Sequence, residues 1–244
     1  MGGTLWYAEY GPADGRPVLL LHAALQTHES MAPLIEALSP LGLRLIAVDL
    51  PGHGRSVLPG QGGPAHHDRL TIGGMADAVA DLIDRLGLGR PPVAGYSLGG
   101  MVGIELALRG RVAGLVVLAS RIRPAADARA VFAPAAIRRR SPLWARQLEE
   151  KHTAASWEAL AAALGEELAT WPGFDPAALS SLPVPLLVVQ GDRDQMVPLE
   201  QGQELARLAP RGRFHLVPRA GHPELLYRSD ALTAVKEFLA RLLV

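Results

Sequence analysis

Short apolar runs alternate along the chain with longer stretches in which apolar residues recur every three or four positions. The runs at 5–10, 18–22, 43–49, 93–96, 112–119, 186–190 and 213–217 read as strands. The central ones are continuously apolar, as expected of strands covered on both faces. Ile72, Met75, Val79, Leu82, Ile83 and Leu86 carry the helical period, and Leu232, Val235, Phe238, Leu239 and Leu242 repeat it near the C-terminus. Strand and helix patterns in alternation predict an α/β fold with a mostly parallel central sheet flanked by helices.

One section breaks the rhythm. No strand pattern appears from about residue 121 to 182, where Trp157, Leu160, Leu164, Leu168 and Trp171 form a helical stripe and Pro172, Pro176, Pro183 and Pro185 mark its exit. A connection this long is expected to fold into helices of its own. The expected organisation is therefore a core of residues 1–120 and 183–244, with a helical cap inserted at 121–182.

Composition narrows the classes. Of the 244 residues, 49% are hydrophobic and 20% charged, which fits a globular chain with a substantial core. Basic and acidic residues balance at 24 each, so no nucleic-acid partner is expected. No cysteine is present, which removes thiolate chemistry and disulfides. No apolar run reaches the roughly 18 residues of a membrane span, and the opening MGGTLWYAEYG resembles no leader. A cytoplasmic location without membrane association is expected by elimination.

The candidate chemistry begins at Gly95-Tyr96-Ser97-Leu98-Gly99, between a predicted strand and a helix through Met101, Ile104 and Leu108. Small residues two places on either side of Ser97 permit a sharp strand-to-helix turn that lifts the hydroxyl clear of the backbone. Read alone, the same segment fits a helix cap with closely packed glycines. The lysine and the glycine spacing of phosphate-binding loops are missing. A serine nucleophile needs a base, and the base an orienting acid. Asp192 and Asp194 follow the strand at 186–190, and His222 follows the strand at 213–217, so parallel strands would deliver them to one sheet edge. Asp194 is the favoured acid and Asp192 the alternative. The Leu98 N–H and the Ala24 N–H, in the loop after the second strand, are placed to form an oxyanion hole.

Four segments, DLPGHGRS at 49–56, GYSLGG at 95–100, GDRDQMVP at 191–198 and AGHPELL at 220–226, together resemble the α/β-hydrolase superfamily. The nearest likeness is to compact carboxylesterases and enol-lactonase-like hydrolases with a helical cap. The resemblance implies Ser97 as nucleophile, Asp194 as acid, His222 as base, and Ala24 and Leu98 as oxyanion donors. It also implies a small-molecule acyl substrate, with no metal and no organic cofactor. Ala23 departs from the pattern, standing where the family ordinarily has glycine after the histidine, and its methyl restricts that backbone.

Other residues receive plainer readings. His22 and His215 are expected to be structural, His53 and Arg55 to organise the loop after Asp49, and His66-His67-Asp68 to form a polar loop rather than a metal site. Arg138-Arg139-Arg140 reads as a solvated cap face, with recognition of an anionic or coenzyme A ester as the alternative. Phe132, Leu143, Trp144, Trp157, Trp171 and Phe174 are candidates for an apolar pocket wall. The expected activity is hydrolysis of small to medium carboxylic esters through an acyl-enzyme. Thioester, enol-lactone and carbon–carbon hydrolysis and perhydrolysis could use the same groups, and a noncatalytic ligand receptor is the reading from outside enzymology.

Overall fold

The computed structural model describes residues 5–57 and 70–243. Seven strands form one sheet: β1 (Tyr7–Tyr10), β2 (Pro17–Leu21), β3 (Arg44–Val48), β4 (Val93–Tyr96), β5 (Leu115–Leu118), β6 (Leu186–Gly191) and β7 (Gly212–Val217), in the spatial order β1-β3-β2-β4-β5-β6-β7. All neighbours pair in parallel except β1, which runs antiparallel to β3 at the edge. All seven predicted strands are present.

Two boundaries moved by more than one residue, each for a physical reason. At the first strand, Trp6 leaves the ladder because its N–H donates to Ser56 Oγ and its carbonyl accepts from Asp49 N–H. The fifth begins only after Gly114, where a Cβ would enter the side chain of Leu242.

Side chains alternate between the two sheet faces. Leu19, Leu21, Val93, Leu115, Val117, Leu186 and Val188 join helices α2 (Ile72–Arg85), α3 (Leu98–Leu108) and α9 (Leu199–Leu208) in one buried cluster. Val18, Leu20, Ala94, Val116, Leu118, Leu187 and Val189 join α1 (Ala32–Leu38) and α10 (Ser229–Leu243) in the other. The period-two pattern thus becomes a three-layer sandwich with the sheet inside. Thr71 starts α2 by accepting the Gly74 N–H on its hydroxyl at 3.0 Å.

Between β5 and β6 the chain forms α4 (Ala128–Phe132), α5 (Pro134–Arg140), α6 (Pro142–Lys151), α7 (Trp157–Thr170) and α8 (Pro176–Leu179), with no strand among them. Pro134, Pro142 and Pro176 stand in the first turns of α5, α6 and α8, where a missing N–H costs nothing. The buried stripe Trp157, Leu160, Leu164 and Leu168 joins the same cluster as α2 and α3. These helices therefore share apolar contact with the sheet layer rather than enclosing a core apart from it.

Candidate active site

Chain order and strand order combine to place the site. The sheet grows from β2 outward to β3, then reverses to β4 on the other side of β2. Where an open parallel sheet reverses, the carboxyl ends of the two strands leave a crevice. The Ala24 loop follows β2 and Ser97 follows β4 at that crevice, while Asp194 and His222 arrive at the same edge from β6 and β7.

Ser97 sits at φ 52° and ψ −113°, a left-handed conformation that a side-chain-bearing residue adopts only when its surroundings impose it. They do so here. A Cβ on Gly95 would enter the Gly99 carbonyl, and one on Gly99 would enter the Leu21 carbonyl at the end of β2. The Ser97 N–H donates to Leu118 O at 2.8 Å, and its carbonyl accepts from the Gly100 and Met101 N–H groups and from Ser120 Oγ. Both backbone polar groups of Ser97 are thus tied.

The Ser97 hydroxyl faces His222 Nε2 at 3.2 Å, and His222 Nδ1 donates to Asp194 Oδ2 at 2.8 Å. Asp194 Oδ1 accepts from the Met196 and Val197 N–H groups, both at 2.8 Å. Its carboxyl group is 1% exposed. Asp192 is exposed and makes no side-chain hydrogen bond among the described residues, so the structure brings Asp194, not Asp192, to the imidazole. Close approach of two loops makes this possible: Gly191 lies where a Cβ would enter the Ala220 carbonyl, and the Arg193 N–H donates to that carbonyl at 3.0 Å.

Ala24 and Leu98 both line the cavity above Ser97, and neither N–H has an acceptor among the described residues. Leu98 opens α3, so its amide adds the positive end of a helix. Ala23 fits without strain, because the positive φ of this loop falls on Leu25, at 58°.

His22 is fully buried and structural. Its Nδ1 donates to Ala23 O at 2.8 Å and its Nε2 accepts the Leu50 N–H at 2.9 Å. Burial pushes its pKa down to about 4, which keeps the ring neutral. The loop after Asp49 is held mainly by the aspartate itself rather than by the side chains of His53 and Arg55: Oδ2 accepts the Arg55 N–H, and Oδ1 accepts the His28 N–H and pairs with His28 Nδ1. Arg55 lies over the Trp6 ring at 4.7 Å. His53 donates from Nδ1 to Pro51 O. His215, on β7, is half-buried away from this edge. His66-His67-Asp68 lies outside the described residues, and among those residues no group of three or more potential ligands could hold a metal.

Two cavities, of about 280 and 530 Å³, meet at Ser97 and His222. Of the six aromatic and leucine candidates only Phe132 and Trp144 line them. Trp157 is buried, Leu143 is exposed, and Trp171 packs edge-on against Phe174 at 4.8 Å. Arg140 lines both cavities, whereas Arg138 pairs with Glu158 and covers the Trp157 ring. Arg140 is exposed, as the solvated-face reading expects, and borders the cavities as well.

Three contributors escaped sequence reasoning. The Tyr96 hydroxyl donates to His222 O at 2.6 Å, and burial pushes that hydroxyl's pKa up. The signal was available, since a tyrosine inside an apolar strand must find a partner for its hydroxyl. His152, after α6, accepts the Gly54 N–H at 2.9 Å and donates to Leu25 O at 3.2 Å, joining the inserted helices to the loop that carries Ala24. No local pattern marks it. Arg121, just beyond β5, donates to Met196 O in the acid loop.

The model of the alpha/beta hydrolase family matches residues 18–237 of the chain. The chain belongs to this family. Its relatives agree end to end: a RutD protein of Variovorax paradoxus, named for carbamate hydrolysis, is 30% identical over 97% of this chain and 96% of its own length. A thermophilic esterase from Thermogutta terrifontis, solved with malate bound, superposes with a TM-score of 0.77 at 27% identity, covering 98% of this chain and 94% of that one. The enol-lactonase of Burkholderia xenovorans LB400 superposes at 0.78 with 24% identity, over 97% and 96% of the two chains, a likeness of fold. The protein is thus an alpha/beta hydrolase by sequence and by architecture, with no helix of its described residues long and apolar enough to cross a membrane.

Proposed function

We propose that this hydrolase cleaves small to medium carboxylic esters through Ser97, His222 and Asp194. The observation that carries the reading is the unbroken hydrogen-bond chain from Asp194 through His222 to a strained Ser97 at the junction of two cavities.

In this mechanism His222 Nε2 takes the hydroxyl proton as Ser97 Oγ attacks the ester carbonyl. Asp194 holds the Nδ1–H tautomer and stabilises the imidazolium that forms. The free Ala24 and Leu98 amides receive the negative charge on the tetrahedral oxygen. His222 then protonates the leaving alcohol, giving an acyl-Ser97. Water attacks that acyl group with His222 again as base, and the acid is released. The residues at 121–182 act as a cap that roofs the cavities with Val131, Phe132 and Leu168. A small-molecule acyl substrate fits these volumes, and the machinery needs neither metal nor organic cofactor. The likeness to a malate-bound esterase supports ester chemistry, and the relative named for carbamate hydrolysis places carbamates beside esters in the panel to test.

Fluorophosphonate labelling, with turnover of a panel of esters, lactones, thioesters and carbamates, tests the reading. Labelling of wild type but not of Ser97→Ala, with esters turned over fastest, is expected. A folded wild type that neither labels nor turns over any ester would make the protein a ligand receptor instead.

A further inference from the structure

We propose that the substrate carries a single negative charge, a carboxylate on either its acyl or its alcohol portion, and that Arg140 receives it. This rests on the ester-hydrolase reading above and specifies its substrate class.

Arg140 ends α5, is exposed, and lines both of the cavities that meet at Ser97 and His222. Its one recorded bond is from Nη2 to Val131 O at 2.6 Å, and among the described residues no carboxylate pairs with it. That separates it from Arg123, Arg129 and Arg138 on the same inserted segment, which pair with Glu204, Glu166 and Glu158. Arg121 lines the smaller cavity and likewise has no ion pair among the described residues, its guanidinium held against Met196 O.

Burial disfavours the charged form of Arg121, opposed by the charges of Asp127, which shares that cavity, and of Asp194. Among the described residues no carboxylate lines the larger cavity, where Arg140 supplies one positive charge. Low-dielectric walls from Val131, Phe132 and Met101 strengthen its attraction for an anion. Arginine offers a carboxylate two parallel N–H donors, which fixes the anion's position as well as its charge.

The test uses two matched pairs of esters. Monomethyl succinate and methyl pentanoate place or omit the charge on the acyl side, and acetoxyacetate and propyl acetate do so on the alcohol side. The readout is the ratio of kcat/KM for the anionic over the neutral member. Wild type should favour the anion in at least one pair by roughly tenfold or more, the worth of one charge-assisted hydrogen bond. Arg140→Gln should collapse that ratio mainly through KM, Arg140→Lys should keep part of it, and Arg139→Gln, whose side chain lines neither cavity, should leave it unchanged.

A wild-type ratio at or below one in both pairs overturns the proposal, as does a ratio that survives Arg140→Gln. In either case, neutral-ester turnover with labelled Ser97 would leave the ester-hydrolase reading standing. Absence of both turnover and labelling would remove the two together.

Discussion

The Tyr96 hydroxyl donates to the backbone carbonyl of His222, and the two rings stack with centroids 5.3 Å apart. Tyr96 precedes Ser97 on β4, while His222 lies 126 positions further along the chain. One phenol thus sets the position of the base relative to the serine beside it.

Tyr96→Phe keeps the stacking surface and removes only this bond. A net hydrogen bond is worth about 1 kcal/mol, so kcat should fall by roughly fivefold with KM nearly unchanged. Steady-state kinetics on a single ester checks it, and equal losses from kcat and from thermal stability would point to a structural role alone.

The two aspartates after β6 should separate sharply. Asp194→Asn keeps the two bonds from Met196 and Val197 available to Oδ1 yet changes the partner of His222 Nδ1, and turnover should drop on the order of 10⁴-fold. Asp192→Asn alters an exposed group and should stay within about twofold. Comparable losses from both would reassign the acid.

Gly99 lies under the end of β2, where a methyl group would enter the Leu21 carbonyl and approach that of His22. Gly99→Ala should cost more than about 2 kcal/mol, because backbone on both sides must shift. Urea denaturation measures it. A midpoint within error of wild type would show that β2 and α3 can separate without penalty.

Acid should destabilise the fold through its buried histidines. Burial lowers the pKa of His22 to about 4 and also lowers those of His53 and His152. Below the unfolded value of about 6.5 the unfolded chain binds protons that these neutral rings refuse, so stability falls with pH from there towards 4. His22 alone should account for about 3 kcal/mol across that window. Denaturation at pH 7, 5.5 and 4.5 should show the slope, and His22→Gln, which cannot titrate, should flatten it.

The seven strands and the serine turn were legible because each rests on local pattern. Apolar runs make buried strands wherever they fall, and Gly95 and Gly99 announce a turn too tight for side chains. Pocket lining was legible only in part. Trp157 and Phe132 are both apolar residues on inserted helices, yet one is buried and the other borders the cavities. Helical period shows that a residue faces inward, but not whether a neighbour or open space awaits it.

By itself, the sequence determined the fold class and the three residue types that a parallel sheet must carry to one edge. Only the tertiary structure decided that Asp194 meets His222, that His152 braces the Ala24 loop, and that Arg140 lines the cavities with no carboxylate partner among the described residues. Those outcomes depend on contacts between distant segments, such as Arg193 with Ala220 and Gly54 with His152, and on which carboxylates happen to lie within reach. A hydrophobic pattern specifies the direction in which a side chain points; the partner it finds there is set by the packing of the whole chain.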